Sequence, residues 1–360
     1  MIAIFTMVFV HFAENLSGVG LPIAGFGAPL FAFLSGVSYL LWVNGQMARG
    51  RSDAEISKVS IRRGLFVFGV GFAFNVLVWL PEDIFNWDVL TFIGAALLVL
   101  NIARRLPLSV SAMTAAVILM ISPLLRAQVE YEAYWANGYF ELDPTLSDVL
   151  IGFFVTGYFP LFPWLVFSLA GFTTASLLFG EATESGAAPE DAEPAMLSPR
   201  WLIAIGAVSL GIAIAIRLLH SHLPEVLAKT VLGGWTMFPP TTTYVFGTLG
   251  WAFLLFGAAH LLIDRNPRML RRKGLLDIAK TFSRYSFTIY VLHHIVHLWP
   301  LWIYGVVTGN EPTHFWQNSM PIYISLPLAL VFMITCFVLL RWIGPERRFG
   351  IEAWMRWLCD

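Results

Sequence analysis

The residues most suited to chemistry are histidines that fall inside or at the ends of apolar stretches. His11 and Glu14 are three positions apart, which places both side chains on one face of a helix. A carboxylate beside an imidazole fixes the tautomer of the ring and raises its basicity, which suits a general base. A polar turn at the end of an apolar helix is the alternative interpretation, and the residues leave both open.

A second set of polar side chains recurs every three or four residues, as on one face of a helix. The set comprises Ser286, Tyr290, His293, His294 and His297. In an apolar environment such a stripe faces other helices or a cavity, because lipid offers no hydrogen-bonding partners. It therefore indicates either the wall of a site or hydrogen bonds between helices, each worth about 0.6–2 kcal/mol. The stripe holds no carboxylate, and its HH-x-x-H spacing differs from the common zinc patterns, so we expect no metal.

Basic residues cluster at the ends of apolar segments. They are Arg62, Arg63, Arg104, Arg105, Arg268, Arg271, Arg272 and Lys273. Membrane topology and an anionic lipid leaflet explain most of such a pattern. Guanidinium groups also bind phosphates through paired hydrogen bonds, so a phosphorylated cosubstrate is compatible with the same residues.

The overall composition defines the environment of these residues. Hydrophobic residues make up 58% of the chain and charged residues 12%, against about a quarter in soluble proteins. This excludes an ordinary soluble enzyme, a nucleic-acid-binding protein and a disordered chain. The two cysteines cannot form a disulfide framework. The lipid bilayer is therefore the expected partner of most of the surface.

Ten apolar segments are candidates for membrane spans, each needing about 20 residues to cross. The first is short for a crossing, and the sixth is too long, so Pro160 and Pro163 should divide it into an outer piece and a true span. The sequence thus predicts an all-α, polytopic integral membrane protein with about ten transmembrane helices in one bundle. The segments are 2–13, 22–44, 64–80, 88–103, 109–125, 149–179, 201–219, 241–263, 285–307 and 321–343.

Charge in the loops sets the predicted orientation. Of the 22 Lys and Arg residues, all but Arg126, Arg217 and Lys229 fall in alternate loops or in the C-terminal tail, counted from the last turn of the final span. Positive residues mark cytoplasmic loops, so both termini are predicted to be cytoplasmic. The chain is interpreted as a single domain, 1–360. Its Ala/Glu/Pro-rich segment 180–200 is predicted to be a flexible cytoplasmic linker between spans six and seven.

The sequence lacks the motifs of several common enzyme and transporter classes. It contains no Walker A motif, no dinucleotide fingerprint and no G-x-S-x-G, which argues against nucleotide-driven pumping and hydrolase chemistry. No Asp or Glu lies in the middle third of a predicted span, which argues against an ion-coupled transporter.

Several blocks, in order along the chain, resemble the heparan-alpha-glucosaminide N-acetyltransferase-like membrane acyltransferases. The wider superfamily includes YeiB-like proteins and the acyltransferase-three O-acetyltransferases. The similarity covers most of the chain, and the order of the blocks is more specific than any one of them. The blocks are MVFVHF at 7–12, GFGAPLFAFLSGVSYLL at 25–41, DVLTFIGAALLVL at 88–100, GYFPLFPWLVFSLAG at 157–171, FPPTTTYVFGTLG at 238–250, SRYSFTIYVLHH at 283–294 and GIEAWMRWL, the family's closing helix, at 350–358.

The resemblance implies transfer of an acyl group, usually acetyl, from cytosolic acyl-CoA to a sugar hydroxyl or amine across the membrane. His11 resembles the catalytic histidine of the O-acetyltransferase branch, with Glu14 as its support, and His293 that of the family's Tyr-x-x-His block. The first outer loop holds no histidine, unlike the heparan branch, so which histidine is catalytic stays open. The eight basic residues above would hold the phosphates of acetyl-CoA. The residues expected to line the substrate cavity are Tyr290, His294, His297 and Trp164.

Two other classes of function stay open. A transporter or flippase of a small or lipid-linked solute would use the same interior polar stripe, and a non-catalytic membrane partner would need no site. The expected location is the plasma membrane of a prokaryote, with a homodimer as one option. Binding of CoA, or release of its thiol from acetyl-CoA, distinguishes the acyltransferase from both alternatives.

Overall fold

We describe the protein from a computed structural model. The structure describes residues 1–180, 197–266, 269, 273–344 and 349–360. Within these ranges all regular structure is helical, which confirms an all-α polytopic fold.

The α-helices of the described residues follow the apolar segments, with short π and 3₁₀ turns between them. They are α1 Ile2–Ser17, α2 Gly27–Met47, α3 Asp53–Phe74, α4 Val89–Ala103, α5 Leu108–Gln128, α6 Leu146–Ile151, α7 Leu161–Phe179, α8 Pro199–Leu219, α9 Thr242–Ala259, α10 Lys273–Arg284, α11 Ser286–Val307, α12 Ile322–Ile343 and α13 Ile351–Cys359.

Each of the ten predicted spans contains a helix, but not all of these helices are long and apolar enough to count as spans. In the part of the chain that the structure describes, eight helices are long and apolar enough to cross a bilayer. α1 is apolar but has only 16 residues. α11 has 22 residues, about 33 Å of helix, but its three histidines reduce its hydropathy. The number ten therefore stays a prediction.

Two predicted loops are partly helical. α3 begins at Asp53 rather than near residue 64, because Ser52 and Glu55 form a capping box that satisfies the first backbone N–H groups. Arg62 and Arg63 consequently lie on a helix and not in a loop. Residues 264–284, which lie between two predicted spans, contain the amphipathic helix α10. Charged residues on one of its faces lower its average hydropathy, so it is not among the apolar segments.

The division of the long sixth segment is confirmed. The helical turns from α6 end at Thr156, residues 157–160 are non-helical, and α7 starts directly after Pro160. Residues 181–196 of the predicted linker lie outside the described residues. Its last two positions, Pro199 and Arg200, form the first turn of α8, so the linker prediction was too long at this end.

The described helices fall into two compact units. Unit 1 consists of Met1–Ala28, Leu77–Trp79 and Pro267–Asp360, and unit 2 of Pro29–Val76 and Leu80–Asn266. In unit 1, α1 packs against α11 and α12. The C-terminal end of α1 is fixed by Gln317, whose N–H donates to Asn15 O at 2.7 Å, and by the Ser17–Ser325 hydroxyl contact at 2.8 Å.

A further contact in unit 1 joins α13 to the start of α11. The Glu352 carboxylate accepts hydrogen bonds from the backbone N–H groups of Phe287, at 2.7 Å, and Thr288, at 3.0 Å, and from the Thr288 hydroxyl. These N–H groups belong to the first turn of α11, where no intrahelical acceptor exists. A side chain from α13 thus caps the helix that carries the histidine stripe.

In unit 2, glycines bring helices into close contact. A Cβ on Gly36 of α2 would lie 1.9 Å from Ser168 O, and one on Gly171 of α7 would lie 1.9 Å from Phe33 O. Only glycine fits at this crossing, as is common where helices associate without a hydrophobic driving force in lipid.

Tyr134 of unit 2 lies between α5 and α6, in a predicted outer loop. Its hydroxyl donates a hydrogen bond to the Asp148 carboxylate at 2.9 Å. Burial, together with this hydrogen bond, raises the pKa of Tyr134 to about 12.

Candidate active site

The main polar cluster of unit 1 lies where α1 and α11 pack together. We define the histidine cluster as His11, His293 and His294. Ring centroids of His293 and His294 are 3.9 Å apart, and the His11 ring lies 5.4 Å and 4.6 Å from them. His293 and His294 are fully buried, whereas His11 is partly exposed. Two segments of sequence far apart in the chain therefore supply one cluster.

Backbone carbonyls of α11 fix the tautomers of two of these rings. His293 Nδ1 lies 3.1 Å from Ile289 O, and His294 Nδ1 lies 3.3 Å from Tyr290 O. A carbonyl oxygen only accepts, so each Nδ1 carries the proton and each Nε2 keeps its lone pair. His293 Nε2 is buried without a hydrogen-bond partner among the described residues. The cluster therefore presents basic nitrogens rather than donors.

His297 follows the same stripe but has a different role. Its Nδ1 contacts His293 O, and its Nε2 lies 2.9 Å from Asn15 Nδ2. The carbonyl makes Nδ1 the donor, so Nε2 accepts from the Asn15 amide. Both ring nitrogens are engaged, which favours a hydrogen bond between α1 and α11 as the function of His297.

Two aromatic side chains enclose the cluster. The Tyr290 ring lies 5.6 Å from the His293 ring and 5.5 Å from the His294 ring, and its role in lining a substrate cavity stays a prediction. Trp79 contacts His294 edge to face at 5.3 Å. Trp79 was not predicted, because it ends an apolar segment from another part of the chain and only the π-helical turn Asn75–Trp79 places it in unit 1.

Glu14 lies one turn beyond His11 on α1 and is partly exposed. In the part of the chain described, no hydrogen bond joins its carboxylate to the His11 ring. The structure therefore places His11 and Glu14 on one face of α1, and support of the His11 ring by the Glu14 carboxylate stays a prediction.

The predicted phosphate-binding residues differ in what they contact. The Arg104 side chain is only 4% exposed and pairs with Asp53, while its Nε donates to Asn101 Oδ1 at 3.2 Å. Arg105 also binds Asp53, at 2.7 Å, but is 47% exposed. Arg63 lies over the Trp42 ring at 4.7 Å, and Arg62 is exposed.

The remaining basic residues are not described by the structure in atomic detail. Arg268, Arg271 and Arg272 lie outside the described residues, and of Lys273 only the backbone, at the start of α10, is described. Trp164, predicted to line the cavity, is fully buried in unit 2, where it packs on Phe92, Phe159 and Phe167. These contacts favour a core role for Trp164.

Chemically, the histidine cluster is suited to taking a proton from an acceptor group. His293 and His294 present unprotonated Nε2 atoms in a buried setting, and His11 beside them is partly exposed. These features define a class: a polytopic membrane protein with basic nitrogens between its helices, as proton transfer during group transfer requires.

Comparison with known families names that class. The family model for the heparan-alpha-glucosaminide N-acetyltransferase catalytic domain matches residues 1–220, more than half of the chain, and the protein belongs to this family. The matched part contains His11 and Glu14, whereas the stripe on α11 lies beyond it. No curated protein matches the chain. The resemblance inferred from the sequence blocks is thereby confirmed, and the protein is a membrane-embedded member of an acetyltransferase family.

Proposed function

We propose that the protein transfers an acetyl group from cytosolic acetyl-CoA to a hydroxyl or amine of a sugar on the extracytoplasmic side of a prokaryotic plasma membrane. The family supports acetyl transfer, and one observation carries the assignment of the site. His11 of α1 converges on His293 and His294 of α11, with proton-accepting nitrogens in a largely buried setting.

The proposed chemistry assigns His11 as the base. Its imidazole takes the proton from the acceptor hydroxyl or amine while the acceptor atom bonds to the thioester carbonyl carbon. The tetrahedral intermediate then collapses, the carbon–sulfur bond breaks, and the imidazolium returns the proton to the CoA thiolate. We assign this role to His11 because it is the one residue of the cluster that is partly exposed, and His293 is the competing candidate.

Binding of the CoA phosphates is assigned to exposed guanidinium groups. Arg62 and Arg105 are accessible in unit 2, whereas the Arg63 guanidinium lies over the Trp42 ring. Arg104 is buried in an ion pair with Asp53, so its contribution is to hold this helix end rather than to meet a phosphate directly. The cluster Arg268 to Lys273 remains part of the proposal on the basis of sequence alone.

A transfer assay with purified protein tests the proposal. The protein in lipid nanodiscs is given radiolabelled acetyl-CoA with glucosamine, which offers an amine, or with a methyl glycoside, which offers only hydroxyls. We expect acceptor-dependent release of CoA thiol and a labelled sugar product in equal amounts. The proposal is wrong if CoA does not bind at millimolar concentration. In a separate assay, uptake of unmodified radiolabelled glucosamine by vesicles containing the protein would instead establish the transporter.

A further inference from the structure

We infer that the histidine cluster is also a binding site for a divalent transition-metal ion of the zinc type, and that bound metal inhibits acetyl transfer. One candidate ligand nitrogen from each of His11, His293 and His294 lies within 4.8 Å of the other two. The sequence spacing within α11 had argued against a metal, but the third ligand comes from α1. The inhibition rests on the proposed function, whereas the binding does not.

The second observation is the state of the ring nitrogens. Imidazoles that bind metals almost always donate their other ring N–H to a carbonyl or carboxylate, which fixes the tautomer and the orientation of the ring. His293 and His294 donate from Nδ1 to Ile289 O and Tyr290 O in this way. The His293 Nε2 is fully buried and has no partner in the described residues, and it is the atom that would bind a metal ion.

His297 shows why the site has three ligands and not four. Its Nε2 accepts from Asn15 and its Nδ1 contacts a carbonyl, so neither nitrogen is available. Three imidazoles with a fourth position for solvent are a known arrangement for zinc. Imidazole sets favour zinc, copper or nickel, whereas magnesium and calcium need oxygen ligands.

The three nitrogens must move closer together to bind one ion. Zinc–nitrogen bonds are about 2.0–2.1 Å, so ligand nitrogens around one tetrahedral ion lie about 3.4 Å apart. The two α11 rings are anchored to their carbonyls, and no hydrogen bond to a described residue restrains the His11 ring. Rotation of His11, the ring without such an anchor, toward His293 and His294 would draw its nitrogen closer to theirs.

Inhibition follows from the lone pairs. A metal ion takes the ring lone pair of His11 and His293, and a ring so coordinated cannot accept a proton from a sugar hydroxyl or amine. The same nitrogens cannot serve both purposes at once. Zinc should therefore reduce transfer in proportion to site occupancy, and a chelator should restore it.

The test measures metal binding first, without any substrate. Full-length protein in nanodiscs is stripped with a chelator and titrated with Zn²⁺ against a chromophoric competitor, and Co²⁺ is used to report coordination by its visible spectrum. We expect one ion per chain, a tetrahedral Co²⁺ spectrum, and no competition from millimolar Mg²⁺ or Ca²⁺. X-ray absorption on the zinc-loaded wild type, which needs no variant, should show imidazole ligands.

Variants then identify the ligands. His11→Ala, His293→Ala and His294→Ala should each weaken Zn²⁺ binding at least about 100-fold, since loss of a supporting contact alone costs 10–100-fold. His222→Ala and His314→Ala remove exposed histidines and should bind like the wild type. Stoichiometric zinc binding in the variant that carries all three substitutions, or an absorption spectrum without nitrogen ligands, overturns the site.

Activity separates this inference from the proposed function. Zinc that binds the cluster and leaves acetyl transfer unchanged, or accelerates it, overturns the inhibition. Zinc binding in a protein that transfers no acetyl group defeats the proposed function and leaves the metal site intact. Acetyl transfer with no zinc binding does the reverse.

Discussion

Two polar clusters, one in each compact unit, are built on opposite principles. In unit 2, the Asn101 cluster (Tyr39, Ser57, Ser60, Asn101, Arg104 and Asp53) is a closed network. Asn101 donates to Ser57 at 2.8 Å and accepts from Arg104 and Tyr39, which in turn accepts from Ser60. In unit 1, His293 and His294 donate to carbonyls of their own helix, and a buried acceptor without a donor is left at His293 Nε2. A satisfied network stabilises a fold, whereas a buried acceptor without a donor costs free energy and is a candidate for a chemical role.

The strongest test of this comparison is His11→Ala. We expect acetyl transfer to fall about 100- to 10,000-fold, because the acceptor loses its general base, while CoA binding persists. Initial rates of thiol release and titration of CoA measure the two quantities, and His314→Ala, an exposed histidine, is the matched control. If His11→Ala keeps near-normal turnover and His293→Ala does not, the base is His293. If both keep it, neither ring is the base.

Arginine variants test whether the exposed guanidinium groups bind CoA. Arg62→Ala and Arg105→Ala should each weaken CoA binding by about 1.5–3 kcal/mol, the value of a charge-assisted hydrogen bond. Arg217→Ala, near the predicted outer end of α8, should leave binding unchanged. Calorimetric titration with CoA measures the effect, and equal affinities in all three variants would remove these residues from the phosphate site.

Asn101→Leu tests the closed network. Leucine leaves the Ser57 hydroxyl and the Arg104 Nε without their partner, so the free energy of unfolding should fall by about 1–3 kcal/mol. The transfer rate per folded molecule should not change. Denaturant unfolding in detergent and the thiol-release rate report the two effects. Lost turnover with unchanged stability would make the Asn101 cluster functional and end the contrast.

Glu352→Ala should have the smallest effect. It removes the acceptor for the Phe287 and Thr288 N–H groups, and caps of this kind contribute about 0.5–2 kcal/mol to the free energy of unfolding. Glu352→Gln keeps one oxygen acceptor and should lose less, since the negative charge at a helix N-terminus adds only part of the effect. Thermal unfolding of both variants ranks them, and an equal loss would assign the whole contribution to charge.

The sequence predicted the helical architecture well because apolar length and proline position act locally. Pro160 interrupts a long apolar segment through the backbone of that segment itself, because a proline cannot donate a helical hydrogen bond. This effect does not depend on which helices the segment packs against. α10 was not predicted because it is amphipathic. One of its faces is charged and the other apolar, so the mean hydropathy of the segment is low.

The candidate site was only partly predictable. Periodicity within α11 identified His293 and His294 as sharing a polar stripe, and the position of His11 was noted separately. Their convergence depends on the packing of α1 on α11, which periodicity within one helix cannot supply. His297 could not be separated from its neighbours by sequence, because the difference is the Asn15 amide on another helix. Likewise, nothing in the sequence marked Arg104 as buried by Asp53.

The pairing of α1 with α11 has a consequence for biosynthesis. Asn15 and His297 are 282 residues apart, so at about 5–20 residues per second the ribosome adds the second partner tens of seconds after the first. During that interval the Asn15 amide lacks its native partner, and an unsatisfied amide in an apolar environment is costly. The site is therefore among the last parts of the protein to assemble. Insertion machinery that shelters α1 until α11 arrives would decide how much of the newly made chain becomes active.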